Sequence, residues 1–249
     1  MYQWLLANKI SLNCSKTEII FFHMSGQVIE FYFNIKMNGH KLIPSNFIKY
    51  LGIYLDSDLS GKQQSIVLQS KLNRSNGMLA KARHYIPSRE LRSLYYAIFS
   101  SHMTYSCQIW FNNNKSSNRI CKAQEKALRI ISFADFHAPS DPLFKTNKIL
   151  TLKDFITLQN CLFVHDYFHD KLPDCFVDYI RLITDVHQRN TKLNSLGFLY
   201  APEYKTKKYG LNSITRKCLN SWNYFSEKLN RNLKLLSKLL FVITFLNNK

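Results

Sequence analysis

The chain has 249 residues, 46% hydrophobic and 14% aromatic, with only seven Gly and six Pro, which excludes a disordered tail and leaves room for long helices. Thirty-four Lys and Arg against 16 Asp and Glu give a net charge of +18. A folded chain this basic points to a polyanionic partner, whose condensed counterions the cations displace. An anionic membrane and a basic secreted protein are the rival classes. Against them, the N-terminal Met1 to Lys9 lacks the apolar core of a signal peptide. The apolar run Leu239 to Leu246 is eight residues, far short of the roughly 20 that a spanning helix needs.

The charge is uneven along the chain. Residues 1–61 hold five basic and four acidic residues, 62–136 hold 12 and three, and 137–249 hold 17 and nine. The anion-binding surface is therefore expected to begin after residue 61. The first 60 residues read as strands and turns: Glu18 to Phe22 is β-prone, Val28 to Ile35 alternates, and Asn38-Gly39 is a strong hairpin signal. Phe47 to Asp56 reads as one strand that ends in the turn-forming run Ser57 to Gly61.

The period then becomes helical. From Gln64 to about His84, Leu68, Leu72, Leu79 and Ala82 share a face, with Lys71, Arg74 and Lys81 beside it. Ile86-Pro87-Ser88 breaks the pattern and offers Ser88 as an N-cap. The next helix carries Leu91, Leu94, Tyr95, Ile98, Phe99 and His102 at the spacing of a buried stripe. After the polar loop Asn112-Asn113-Asn114, a third helix runs from Ser117 to about Phe133. Beyond it the chain reads as mainly helical, with loops around Ala138–Pro142, Pro173 and Ala201–Tyr209.

In the third helix Arg119, Lys122, Lys126 and Arg129 follow i, i+3, i+7, i+10 and project within roughly 80° of one another. Ile120, Ala127, Ile130, Ile131 and Ala134 form the neighbouring apolar face. Such a stripe can track a phosphate backbone, and the plain alternative is a solvated helix face. Other constellations carry less. Phe133-Ala134-Asp135-Phe136 imitates the aromatic-Ala-Asp-Asp turn of polymerases, but its second Asp is Phe136 and it closes a helix. Two-metal phosphoryl transfer needs several converging carboxylates. Asp56 and Asp58 are placed for turn hydrogen bonds. His165 and His169, at i and i+4 with Asp166, lack a third ligand. The six cysteines (14, 107, 121, 161, 175, 218) contain no C-x-x-C, which favours reduced intracellular thiols over zinc or disulfides.

Trp4 to Asn13 with Lys16-Thr17, and Phe47 to Asp56 with Leu59-Ser60, open a series of blocks along nearly the whole chain that is similar to non-LTR (LINE-type, jockey-like) retrotransposon reverse transcriptases. The first resembles the segment after the catalytic aspartates, the second the block leading into the thumb. Lys71-Leu72, Gly77, Leu79 and Arg83 to Pro87 continue it, then Leu94 to Phe99, Ser101 to Tyr105 and Trp110. Gln124 to Ile131, Pro142 to Phe144, Leu172-Pro173, Gly210 to Ile214 and Trp222-Asn223 follow in family order. Each block alone is weak, and the order carries the resemblance.

The resemblance implies that Lys16 lies near the incoming nucleotide and that Tyr50-Leu51-Gly52 belong to the primer grip. It also implies that the helices of 62–136 form the thumb around an RNA–DNA template–primer, working in the nucleus. Two departures stand out: the family usually has Trp where Gly61 stands, and a His near Gln64 and Ser65 is missing. The fingers, and the palm aspartates that hold Mg²⁺ in the full-length family, are expected before Met1. The fold expected is α+β: a small antiparallel palm-derived sheet at 1–61, a helical thumb at 62–136 and a mainly helical region at 137–249. The chain then binds nucleic acid through Lys16, Lys49, Tyr50, Leu51, Gly52, Lys71, Arg74, Lys81, Arg119, Lys122, Lys126 and Arg129. It uses no cofactor, metal, membrane or small-molecule substrate of its own. The rivals are a non-enzymatic basic RNA- or DNA-binding protein and a decayed copy without selected function. On the polymerase-fragment reading, this chain alone does not extend a primer with Mg²⁺ or Mn²⁺. Template-dependent incorporation abolished by a chelator would overturn that expectation.

Overall fold

The computed structural model describes residues 2–10, 13, 16–24, 35–37, 39–111, 115–176, 179–186, 198–201, 206, 210 and 213–231. The expected strand at Val28 to Ile35 falls outside them except for Ile35, as do the loop Asn112 to Asn114 and the run Leu239 to Leu246. The fold is α+β, with small antiparallel hairpins near the N-terminus and mostly helices after them. None of the described helices is long and apolar enough to cross a membrane. The chain divides into two compact units, Met1–Leu143 and Phe144–Lys249, so residues 61 and 62 lie within the first.

A short helix α1 (Tyr2–Ala7) opens the chain where the sequence predicts only strands and turns. Leu5, Leu6 and Ala7 are good helix formers. The β-prone run Glu18 to Phe22 forms no strand: only Ile19 bridges, to Pro44. Proline cannot donate to a ladder, which stops the pairing from spreading. Strands β1 (Lys36–Met37) and β2 (His40–Lys41) pair antiparallel in the register Met37↔His40, with Gly39 at φ 78° in the tight turn that Asn38-Gly39 predicts.

The predicted single strand at 47–56 is instead a hairpin, β3 (Phe47–Tyr50) against β4 (Ile53–Asp56), with Tyr50 opposite Ile53. Leu51 (φ 46°) and Gly52 (φ 83°) form its two-residue turn, and two positive φ values are the signature of the type I′ turn that matches strand twist. β4 then hands the chain to the first long helix, α2 (Lys62–Ala82). The Asp56 carboxylate at the strand end accepts from the Lys62 N–H (2.7 Å), the Gln63 N–H (3.2 Å) and the Ser60 hydroxyl (2.9 Å). It thereby satisfies two of the N–H groups that a helix start leaves open. Gln64 returns the link, its side-chain oxygen accepting from the Tyr54 N–H at 3.0 Å. Gly61 stands between them at φ 68°, and a Cβ there would lie 2.5 Å from the Trp110 carbonyl oxygen. No side chain fits that position unless the Trp110 backbone moves.

α2 packs against α6 (Lys115–Ile131) and against a helical run made of α3 (Ser88–Tyr95), a π turn (Tyr96–Ser100) and α4 (Ser101–Thr104). The short α5 (Cys107–Trp110) follows, with Trp110 buried. Leu68, Leu72 and Leu79 of α2 and Ile120, Ala127 and Ile131 of α6 are buried as their periodicity predicts. The middle run departs from prediction in one respect. Its buried residues are Leu91, Tyr95, Phe99 and Met103, four apart throughout, and His102 is exposed. Steps of four drift by about 40° each in an α-helix. The wider π turn absorbs the drift and moves Met103 inward in place of His102.

Ser88 does not cap α3. Pro87 occupies the cap position, and the Ser88 hydroxyl donates to the Ile131 carbonyl of α6 at 3.2 Å. α6 ends in a Schellman motif, with the Phe133 N–H on the Ile130 carbonyl and the Ala134 N–H on that of Arg129. Phe133 takes the left-handed position at φ 55°. Phe133 to Phe136 thus follows a helix end, as predicted.

Pro142, predicted in a loop, lies in the first turn of α7 (Ser140–Asn147), where a missing N–H costs nothing. The second unit is built on α8 (Leu152–Phe168) and α9 (Ile214–Arg231), which pack together. Thr151 caps α8, its hydroxyl oxygen accepting from the Asp154 N–H at 3.2 Å. Val164, Ile180, Leu199, Cys218 and Leu219 form the core between them, and the Asn223 side chain clamps both backbone groups of Leu199 at 2.9 Å.

Removing the Asp56 carboxylate leaves the α2 N–H groups without their acceptor. Asp56→Ala is therefore expected to destabilise the first unit by about 1–2 kcal/mol, and Asp56→Asn by less. Chemical denaturation followed by far-UV CD measures both, and equal midpoints for Asp56→Ala and the parent would contradict the capping assignment.

Candidate nucleic-acid interface

The hairpin turn is an exposed part of the predicted site. Tyr50 is 60% and Leu51 73% exposed, large side chains that nothing in the hairpin covers. The turn is braced from one side, because the Tyr105 hydroxyl donates to the Leu51 carbonyl at 2.7 Å. The Tyr105 ring lies 3.5 Å from where a Cβ on Gly52 would stand, so the turn also rests on the aromatic face. Behind the tip is a cleft of about 250 Å³, between the hairpin, α2 and α4. Gly52, Tyr54, Lys71, His102 and Tyr105 are among its lining residues, while Lys16 is not. Lys49 is exposed opposite Tyr54, its ammonium 6.0 Å from that ring's centre. The predicted residues Lys49, Tyr50, Leu51, Gly52 and Lys71 therefore gather at one place. Lys16 sits exposed elsewhere in the sequence, in a turn where its N–H meets the Asn13 carbonyl.

The remaining cations divide into two groups. On α2, Lys71, Arg74 and Lys81 are exposed. Two buried neighbours orient this helix: the Ser75 hydroxyl donates to the Ile98 carbonyl of the π turn (2.8 Å), and the Asn76 amide to the Ala123 carbonyl of α6 (3.1 Å). At 100° per residue the three cations lie roughly 140–160° from Asn76, so they flank the cleft side of α2 and face away from α6.

On α6, Arg119, Lys122 and Lys126 are exposed along one stripe. They stand roughly 140–160° from Gln124, whose amide donates to the buried Tyr95 hydroxyl at 3.1 Å. Arg129 is half-buried and committed: its Nε donates to the Ala138 carbonyl at 2.8 Å, and a terminal nitrogen lies 3.7 Å from Glu125. It holds the turn after α6 in place, while the other three face solvent.

Ser75, Asn76 and Gln124 escape sequence reading because hydrophobic periodicity does not count polar residues. All three are buried and join the helices through hydrogen bonds. Burial pushes the Tyr95 hydroxyl well above its ordinary range, against the opposing effect of the Gln124 hydrogen bond, so it stays neutral. Burial likewise raises Cys107 to about 11 and Cys161 and Cys218 to about 12, which leaves none of them a thiolate near neutral pH.

The other constellations resolve into structure. Asp56 caps α2, and the Asp58 carboxylate accepts from the Ser60 N–H at 3.2 Å, both as turn groups. The His165 and His169 rings stack at 4.0 Å, and His169 Nδ1 donates to the His165 carbonyl at 2.7 Å. No group of three His, Cys, Asp or Glu among the described residues could hold a metal ion. No family model, curated protein or solved structure matches the chain. The family resemblance thus rests on the ordered sequence blocks.

The brace on the hairpin turn can be tested directly. Tyr105→Phe removes one hydrogen bond to a carbonyl and is expected to cost about 0.5–1.5 kcal/mol. Hydrogen exchange should quicken at the turn and not in α6. Unchanged protection of residues 50–53 would show that the tip stands without Tyr105.

Proposed function

We propose that the chain is the palm-end, thumb-like and C-terminal part of a non-LTR retrotransposon reverse transcriptase, and that it holds template–primer without polymerising on its own. One observation carries this reading. The residues similar to the family's primer grip, Tyr50-Leu51-Gly52, form an exposed, braced hairpin tip beside a cleft flanked by Lys71. A rigid tip that offers backbone and an aromatic ring suits the end of a nucleic-acid strand, and Lys49, Lys71, Arg74 and Lys81 supply charge for its phosphates. RNA and DNA are the partners on this reading, and the nucleus is the place of work.

The Mg²⁺ of the full-length family does not fit the carboxylates described here. Asp56 is spent on the helix start, and Asp58 serves its own turn. No catalytic step is assigned to this chain. A second reading, a non-enzymatic basic helical protein that binds RNA or DNA without regard to strand ends, draws on the stripe Arg119, Lys122 and Lys126. That stripe faces away from Tyr95 and needs no hairpin.

Two variants separate the readings. Replacing Arg119, Lys122 and Lys126 by Gln keeps good helix formers and leaves Arg129 to its structural bond. The slope of log K against log salt on B-form DNA is expected to shallow by about 0.9 for each phosphate that the variant no longer neutralises. Tyr50→Ala with Leu51→Ala should leave the slope alone and abolish a preference for recessed template–primer over blunt duplex. A parent protein with no such preference would refute the template–primer reading. An unchanged slope in the triple variant would remove α6 from the interface.

A further inference from the structure

The first unit carries a third surface, at the end of the bundle where α2 and α6 finish, and neither reading above uses it. Two interactions bring those segments together. The Arg83 guanidinium lies 4.9 Å over the Phe133 ring, and the Ser88 hydroxyl reaches the Ile131 carbonyl at 3.2 Å. Arg129 pins the following turn through the Ala138 carbonyl. Three aromatic side chains stand out from these segments: Tyr85 is 87%, Phe136 71% and Phe133 47% exposed.

The exposure of Phe133 is not a by-product of the helix end. Its left-handed position favours glycine, and an L-residue there costs roughly 1–2 kcal/mol. Lys9, Lys148 and Asp170 take the same conformation at other helix ends, so among these four Phe133 alone is aromatic. The ring is left about half exposed and lies against the Arg83 guanidinium.

The surroundings are cationic. Lys81, Arg83 and Arg89 lie within a few residues of Tyr85, against the acids Glu90 and Asp135. Flat rings beside guanidinium groups suit a ligand that is itself flat and repeats a negative charge. A base stacks on the ring by its π face, whichever base it is, and the phosphate between bases meets the cation. A base-paired duplex keeps its bases turned inward and cannot use such rings. An apolar peptide could use the rings but gains nothing from the cations.

We propose that this end of the bundle binds single-stranded nucleic acid, with unpaired bases stacked on Tyr85, Phe133 and Phe136 and phosphates held by Arg83 and its neighbours. The site stands apart from the template–primer reading, since it shares only Lys81 with it and takes another form of nucleic acid.

The full chain carrying Tyr85→Ala, Phe133→Gly and Phe136→Ala tests it. Phe133→Gly places glycine where the backbone wants it, which favours retention of the fold, and far-UV CD checks this. Fluorescence anisotropy is read with labelled (dT)20 and (U)20, with an abasic 20-mer of the same charge, and with a 20-base-pair duplex. The expected result is roughly tenfold or greater weakening on (dT)20 and (U)20, with binding of the abasic strand and the duplex within twofold of the parent. Parental affinity of the variant for (dT)20 would overturn the proposal and leave the rings to a protein partner. Equal weakening on the abasic strand or the duplex would overturn it as well. Should the triple variant unfold, Tyr85→Ala and Phe136→Ala singly carry the same test, and neither weakening (dT)20 binding would overturn it.

Discussion

The Asp56 carboxylate joins the two kinds of structure in the first unit. It ends one strand of the hairpin and begins the longest helix, so the direction in which α2 leaves the sheet follows from a few hydrogen bonds around a single side chain. Gly61 makes this geometry possible, because the chain there runs against the Trp110 backbone with no room for a Cβ. The Gln64–Tyr54 bond closes the loop from the other side. Everything the hairpin tip can touch depends on that junction, since the cleft is bounded by the hairpin on one side and by α2 and α4 on the other.

Charge in this protein is distributed by packing as much as by composition. α2 meets its two neighbours through adjacent residues, Ser75 toward the π turn and Asn76 toward α6. That fixes which flank of α2 carries Lys71, Arg74 and Lys81. α6 turns its own stripe away from Tyr95. The net positive charge of the chain is thus presented as separate strips with different neighbours, and the neighbours decide what each strip can recognise. Cations beside an exposed turn, cations on a plain helix face and cations among exposed rings are three different surfaces.

Much of the helical part is legible in the sequence. Leu68, Leu72, Leu79, Ile120 and Ile131 keep a period that only an amphipathic helix explains, and they are buried. The turn at Gly39 is legible because φ > 0 in a tight turn leaves few residue choices. The β3–β4 hairpin is not, because apolar and aromatic residues flank Gly52 on both sides, from Tyr50 to Leu55, and conceal the turn. Met103 is hidden for another reason: a π turn adds residues without any sign in the period. Of the candidate site, the α6 stripe is readable as spacing alone. The commitment of Arg129 to the Ala138 carbonyl depends on a tertiary interaction that no spacing encodes.

The buried amide of Asn76 donates to the Ala123 carbonyl, while its side-chain oxygen has no partner. A leucine in its place would bind the two helices more firmly, since an unsatisfied buried acceptor opposes stability. It would also bind them less particularly. With the amide present, sliding α6 along α2 by half a turn would take the Ala123 carbonyl away from Asn76 and leave both ends of the amide unpaired. The seam therefore acts as a vernier: it sacrifices adhesion for alignment, and it fixes how far the Arg119 stripe sits along the axis of α2.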